Sequence, residues 1–394
     1  MSILKGALRK GLVINNPLGG ATWRWAEPVW SGMEVTEQNA LHIAVYFAGV
    51  RVICEDIAKL PFKVYQSNTR GEREEATDSP FWALVHDRPN AAMSSQQFRE
   101  YMTCCAINRG NGYALKVGPS GRVGQLLPLH PDNVRLELAP DWTLLYHVRH
   151  ADGTEDHLTR ERVFHLPGLS LDGYSGVSVI EYARQTLGNI RGANRHAGTF
   201  FGNGLHASGI MSVPDATQDT LDMVKAQVLE KASGEKTNSL IAVNKALTYT
   251  PVSVNAKDSQ FLESRTFEVL EVCRWLRLKP HKVAELSRAT FSNLEQESRE
   301  HVEGTLMPWG KRWQDAVTQQ VIATPGVHAE LVYDALLQGT TLERYQAYQL
   351  ATGGPWMAGN DARRKENLPP RPGMDEVLRP LNMGGEQGGQ GDGA

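Results

Sequence analysis

The feature that most constrains this chain is an order of elements between residues 175 and 310: a long helix, a small irregular module, a second helix, a short basic loop and a helix interrupted by proline. The first helix is predicted from Ser175 to Phe201. Ile180, Ala183, Leu187, Ile190, Ala197 and Phe201 recur at intervals of three and four, with Asn194 completing the series. That is close to a heptad seam, so the helix packs against other helices along its length. At about 1.5 Å per residue it reaches roughly 40 Å. Helices of this length are unusual in compact enzymes and usual in ring or tube assemblies.

Glycines at 202, 204 and 209 break the pattern, and residues 204–257 read as a compact inserted module. It contains a short helix from Thr217 to about Lys231 and two strand-like runs, Leu240–Val243 and Leu247–Val252. Asp258 or Ser259 then opens the second helix, with Leu262, Val269, Cys273 and Leu276 on one face, and Lys279-Pro280 stops it. Ser292 and Glu295 form a capping-box pattern that opens a third helix through Leu294, Val302, Leu306, Trp309, Trp313 and Val317. Pro308 is expected to kink it. A last helical stretch runs from Thr341 to Ala351, and the Gly/Gln-rich tail from Met383 is read as disordered.

The earlier part of the chain has a different grammar. Residues 1–35 fit no period; their tryptophans Trp23, Trp25 and Trp30 cover either this chain's own core or another subunit. Thr36 caps a helix with an apolar stripe through Leu41, Ala44, Val45, Ala48, Val52 and Ile57, ended by Pro61. A strand at Phe62–Gln66 follows. Ser94 with Gln97 opens another helix, carrying Phe98, Tyr101, Met102 and Cys105 and closed by Gly110 and Gly112. Short strands are predicted at Tyr113–Val117, Val123–Leu127, Val134–Leu138, Leu144–Val148 and Arg162–Leu166. Residues 36–170 therefore read as an α+β domain with a mostly antiparallel sheet.

Composition excludes several functions. Lys and Arg number 41 against 44 Asp and Glu, so any nucleic-acid contact is local or geometric rather than a broad basic face. No apolar run approaches the roughly 18 residues that cross a bilayer, and Met1–Lys10, broken by Lys5, Arg9 and Lys10, is not a signal peptide. Cys54, Cys104, Cys105 and Cys273 lack metal spacing and are read as reduced core residues. His147, His150, Asp152, Asp156, His157 and His165 fit no metal-binding frame and are read as ordinary surface residues. Gly234-Glu235-Lys236-Thr237 lacks the glycine-lysine pair of a nucleotide-binding loop, and nothing marks a nucleophile–base pair. No catalytic residue, metal or cofactor is predicted.

Many short blocks of the chain, in order, resemble the portal proteins of long-tailed double-stranded DNA phages. They include Leu60-Pro61-Phe62-Lys63-Val64-Tyr65, Leu84-Val85-His86-Asp87-Arg88-Pro89-Asn90, Arg109-Gly110-Asn111-Gly112-Tyr113-Ala114 and Asp172-Gly173-Tyr174-Ser175-Gly176. Later come Phe200-Phe201-Gly202-Asn203-Gly204, Gln260-Phe261-Leu262-Glu263, Thr305-Leu306-Met307-Pro308-Trp309 and Leu368-Pro369-Pro370. The chain departs from the pattern at Arg277-Leu278-Lys279-Pro280, where such proteins tend to have Gly-x-Pro-Pro, and at Leu336-Leu337-Gln338-Gly339, where an aspartate is missing.

The resemblance implies an α+β portal fold assembled as a dodecameric ring, with an α/β wing, a two-helix stem, a small α/β clip, a long kinked helix and a helical crown. In this chain that corresponds to an N-terminal arm over 1–35, wing over 36–174, stem helices over 175–203 and 258–276, and clip over 204–257. The tunnel loop then spans 277–292, the kinked helix and wing return 293–339, the crown 340–382 and the tail 383–394. The loop would present Lys279, His281, Lys282 and Arg288 to DNA phosphates, with Val283 and Leu286 as neutral spacers. Arg184, Arg191 and Arg195 form one stripe on the first long helix. It either lines the channel or pairs with solvent or with acidic residues of the next subunit, Glu263, Glu268 and Glu271 on the second helix being possible partners. The implied partners are further copies of the chain, the terminase large subunit, a head–tail adaptor protein, the major capsid protein and double-stranded DNA of any sequence, with no membrane. The competing expectation is a nucleic-acid-processing enzyme with unrecognised catalytic carboxylates.

Overall fold

The computed structural model describes residues 29–67, 73–119, 122–202, 209–212, 217, 219, 222, 248–251, 257–285, 299–333, 336, 341–354 and 356–377. The expectations for Trp23 and Trp25, for most of 204–257, for Leu286, Arg288 and the Ser292–Glu295 box, and for the tail lie outside these residues. The chain divides into two compact units, 1–332 and 333–394.

Thr36 caps a helix of four residues, α1 (Glu37–Ala40), by a reciprocal pair of hydrogen bonds with Asn39. The chain bends and resumes as α2 (Ala44–Ala58). The buried stripe here is Ile43, Tyr46, Val50, Ile53 and Ile57, while Ala44 is exposed and Val45 and Val52 are half-buried. The predicted stripe was therefore turned by about one residue. The apolar residues of α2 spread beyond one stripe, to the half-buried Val45, Ala48 and Val52, so its phase is set by what packs on it. Gly49 marks that face: a Cβ there would lie 2.4 Å from Leu276 Cδ1.

β1 (Phe62–Ser67) and the charged strand β2 (Arg73–Glu75) follow. α3 (Ser95–Arg109) opens with the predicted Ser94–Gln97 capping box and ends at Gly110 with φ 83°. Then come β3 (Asn111–Val117), β4 (Gln125–Leu129), β5 (Val134–Leu138), β6 (Leu144–Arg149), β7 (Glu155–Thr159) and β8 (Val163–Pro167). A helical turn, Val179–Tyr182, leads into α4 (Arg184–Gly202). β9 (Gly209–Ser212) pairs with β10 (Thr248–Pro251), and α5 covers Lys257–Leu276. After a π-turn, Val302–Leu306, come α6 (Met307–Val317), a second π-turn, Thr318–Ile322, and β11 (Val327–Leu331). The π-turn accommodates Pro308: the Met307 N–H bonds back to Val302, one residue further than in an α-helix, and the proline follows as the second residue of α6.

Among the described residues the strands form three three-stranded sheets, β11-β1-β2, β4-β3-β8 and β5-β6-β7, besides the β9–β10 pair. Every pairing is antiparallel. The sheet predicted as one meander is thus split. β11 returns from far along the sequence to lie beside β1, with Phe62 opposite Leu331. α6 joins the same core: Trp313 is 1% exposed and meets Phe62, Phe98 and Phe164 at ring-centroid distances of 6.3, 6.1 and 5.9 Å. Its indole N–H donates to Thr103 Oγ1 at 3.0 Å.

The glycine-rich blocks meet in one knot. Gly176 lies so close to Gly110 that a Cβ on Gly110 would stand 2.3 Å from the Gly176 carbonyl oxygen. Asn111 ties the crossing, its Oδ1 accepting from the Gly176 N–H and its Nδ2 donating to the Gly176 carbonyl. The same Oδ1 lies 2.8 Å from His165 Nε2, so that nitrogen carries the proton, and His165 Nδ1 accepts from the Tyr146 hydroxyl at 3.3 Å. Gln320 bonds both backbone groups of His165. His165 is therefore not a surface residue.

Burial, with Arg160 adding to it, pushes the His165 pKa from 6.5 down to about 3. The unfolded chain takes up this proton as pH falls below 6.5, whereas the folded chain refuses it until about pH 3. The stability due to neutral His165 is complete above 6.5 and is lost progressively between those values, at up to about 1.4 kcal/mol per pH unit. Denaturant unfolding followed from about pH 7 to 4 is expected to show this slope, and His165→Gln to flatten it. Coincident profiles would exclude His165 as the titrating group.

In the second unit, α7 (Thr341–Gly353) and α8 (Gly359–Lys365) are held by a two-point pair between Arg344 and Glu366, at 3.0 and 3.3 Å. Tyr348 donates to the same carboxylate at 3.1 Å. Leu342, Leu350 and Trp356 remain exposed.

Candidate nucleic-acid interface

Two long helices carry the residues of interest. Ser178 opens the first: its hydroxyl accepts from the Glu181 N–H and donates to the Asn108 carbonyl. The helical run therefore starts at Val179 rather than Ser175. It is interrupted at Ala183 (φ −87°, ψ 7°), although the Leu187 N–H still reaches the Ala183 carbonyl at 2.9 Å. The 19 residues of α4 span about 28 Å, shorter than predicted. The seam is buried at Ile180, Ala183, Leu187 and Ile190. Beyond that Ala197 is half-buried and Asn194 exposed. Asn194 nevertheless faces α5, accepting from the Arg265 guanidinium. The Trp275 indole N–H donates to Thr186 Oγ1 at 3.2 Å. These two bonds, 194 with 265 and 186 with 275, make the helices antiparallel.

Residues 29–35 lie along α4. The Trp30 N–H donates to Gln185 Oε1 at 3.1 Å, and Arg191 donates to the Glu34 carbonyl. Gly188 makes room: a Cβ there would stand 2.2 Å from Val29 Cγ1. Trp30 itself is 91% exposed, so it does not cover this chain's own core. The arginine stripe is consequently uneven. Arg184 is half-buried, Arg191 is engaged with the segment before α1, and Arg195 is exposed. Of the expected acidic partners, Glu271 pairs with Arg274 of its own helix. Glu268 is half-buried, and desolvation raises its pKa against the pull of Arg265. The Glu263 side chain lies outside the described residues.

α5 stops before the proline, at Arg277, whose φ is 56°. The Leu278 N–H closes the end by bonding the Cys273 carbonyl at 2.8 Å. This left-handed position is the one where resembling proteins tend to carry glycine, which adopts it without steric cost. A 3-10 turn, Pro280–Val283, follows and ends at Ala284 in the left-handed region. Val283 packs against the core beside α2 rather than spacing charges in solvent. Lys279 is exposed and pairs with Glu300 at 2.6 Å, while His281 and Lys282 are half-buried. The first half of the basic loop is therefore seated on the α+β core. Sequence reasoning missed Arg265, Trp275 and Glu300, whose partners lie on other elements and leave no local signal.

With this geometry in place, comparison with known proteins is decisive. The sequence pattern of the family described as phage portal protein matches residues 44–367. The chain belongs to that family. The portal protein of Enterobacteria phage HK97 is 28% identical over 88% of this chain and 83% of its own length. The probable portal protein of Streptomyces phage phiC31 is 26% identical over 90% and 81%. Among solved structures, a chain from the neck of an empty gene transfer agent particle superposes with a TM-score of 0.60 at 19% identity, covering 83% of this chain and 90% of that one. A crystal structure of an HK97 family phage portal protein from Corynebacterium diphtheriae gives 0.56 at 14%, covering 77% and 98%. Portal proteins are structural components of the phage particle, and the reading of the chain as a nucleic-acid-processing enzyme is not supported. Among the described residues no helix is long and apolar enough to cross a membrane.

Proposed function

We propose that this chain closes into a ring at one vertex of the phage capsid, and that double-stranded DNA passes through its centre during packaging and ejection. The observation that carries this reading is the antiparallel pair α4–α5, bonded through Arg265 to Asn194 and through Trp275 to Thr186, with Leu187 and Ile190 of one helix and Val272 and Leu276 of the other buried in the same core. Such a pair fits the stem of a portal, with 204–257 as the clip, 36–174 and the returning α6 and β11 as the wing, 277–292 as the tunnel loop and 340–382 as the crown. Three features suit contact between copies: the seam of α4 beyond Ile190, and the exposed Trp275 and Phe267 on α5. The necks of gene transfer agent particles were computed with C6 and C12 symmetry, and twelve copies is the stoichiometry we assign here.

The ring offers no bond-breaking chemistry of its own, so the energy for translocation comes from a partner motor, the terminase large subunit, docked at the clip. A head–tail adaptor takes the same end later, and the major capsid protein surrounds the wing. Lys279, His281, Lys282 and Arg288 touch phosphates without reading bases, a contact that any sequence satisfies. Lys279 is shared with Glu300, which keeps its hold on DNA weak. The stripe Arg184, Arg191 and Arg195 serves mainly the packing of α4 against the arm and the neighbouring copy. Replacing Lys282 and Arg288 together with alanine is expected to leave rings intact and to lower the yield of packaged, DNase-protected DNA several-fold. Rings that no longer form would instead make the loop a subunit contact.

A further inference from the structure

The sheet β5-β6-β7 has one apolar face, carrying Leu136, Tyr146 and Leu158, packed on Tyr113 and Val163. Its other face is polar, and at its centre two histidines stand directly opposite each other, His147 on β6 and His157 on β7. Their Nδ1 atoms are 2.6 Å apart. The Glu155 carboxylate, two residues before His157, lies 3.4 Å from His147 Nδ1. One nitrogen from each histidine and one oxygen from Glu155 all fall within 4.8 Å of one another.

We propose that His147, Glu155 and His157 form a site for a divalent transition-metal ion of the zinc type. Two imidazoles and a carboxylate are a donor set such ions favour. Ligand atoms about 2.0–2.2 Å from a tetrahedral ion lie roughly 3.3–3.6 Å apart. The Glu155–His147 separation already fits, and the histidine pair needs to open by less than about 1 Å. His147 is 9% exposed although it lies on the polar face. Its Nε2 is buried, 2.9 Å from Glu137 Oε2 but off the N–H direction, so it makes no hydrogen bond. A small rotation of the ring onto a metal at Nδ1 turns that Nε2–H toward Glu137, the carboxylate–histidine–metal arrangement that fixes a ligand's tautomer and orientation. Glu155 and His157 are exposed, so the ion enters from solvent and keeps water in its remaining position. Because the ligands come from adjacent strands, the ion staples β6 to β7.

Titration of the chelator-treated, tag-free full chain with Co2+, read by visible absorption, tests this. Saturable, stoichiometric binding with tetrahedral ligand-field bands is expected, displaced by Zn2+. His157→Ala and Glu155→Gln, both at exposed positions, are expected to weaken it by more than 100-fold. Glu137→Gln should weaken it by roughly 10–100-fold, as for other outer-shell partners. His150→Ala, on the same hairpin and paired with Asp156, should leave it unchanged. No saturable binding, or binding indifferent to His157→Ala and Glu155→Gln, would overturn the proposal and leave the two histidines as a hydrogen-bonded cross-strand pair.

Discussion

Replacing Trp313 with alanine is expected to unfold the α+β core or bring it close to unfolding. The indole is buried among Phe62 from β1, Phe98 from α3 and Phe164 from β8, so one side chain joins three segments to the returning α6. Truncating a buried tryptophan costs about 3–5 kcal/mol in lost transfer energy and cavity formation. It also strands the Thr103 hydroxyl, which is fully buried and accepts from the indole; an unsatisfied buried polar group costs a further 1–3 kcal/mol or so. Native stability is only about 5–15 kcal/mol. The expected readout is a large fall in the denaturant midpoint or loss of soluble protein, with Trp313→Phe intermediate. A midpoint within error of the parent would mean that α6 is not part of this core.

The second large effect is at the glycine knot. Gly110→Ala asks a side chain to adopt a left-handed conformation, at about 1–2 kcal/mol, and to enter space held by the Gly176 carbonyl 2.3 Å away. The neighbour is backbone and cannot turn aside, so overpacking adds roughly 1–3 kcal/mol. Gly153 is the matched control: its φ is 85°, but nothing lies within 4 Å of the Cβ it would carry. Gly153→Ala should therefore lower stability mildly and Gly110→Ala by several kcal/mol. Equal effects in thermal melts would show that the close crossing of 110 and 176 contributes nothing.

Several signals with a local cause were legible in the sequence, although the local cap at Ser178, just past the expected start at Ser175, was not among them. The Ser94–Gln97 box and the stop at Gly110 need only neighbours three or four residues away, and both stand where expected. The seam of the first long helix was legible as far as Ile190. What failed depends on distant partners. The expected phase of α2 differs from the observed one because its apolar residues spread beyond one stripe, to Val45, Ala48 and Val52, and the distant elements that share its core choose between them. β2 and β7, with the sequences Arg-Glu-Glu and Glu-Asp-His-Leu-Thr, have no strand propensity; pairing with β1 and β6 imposes the conformation. β11 is assigned by a strand far earlier in the chain. The histidines resisted a metal reading because their spacing is not that of a helix or finger. It becomes meaningful only when the β6–β7 register places 147 against 157. The basic loop was found by its charge, but its anchoring through Val283 and Glu300 is a tertiary fact.

The central claim concerns assembly. In the proposed ring, the α4–α5 pair, with Phe267 and Trp275 exposed in the single chain, would be completed by neighbouring copies that enclose a passage for a DNA duplex. Imaging the purified full chain end-on, with its mass measured in the same preparation, tests this most directly. The account predicts closed rings of twelve copies with an open centre. Single compact copies at every concentration, with no ring in the particle itself, would contradict it.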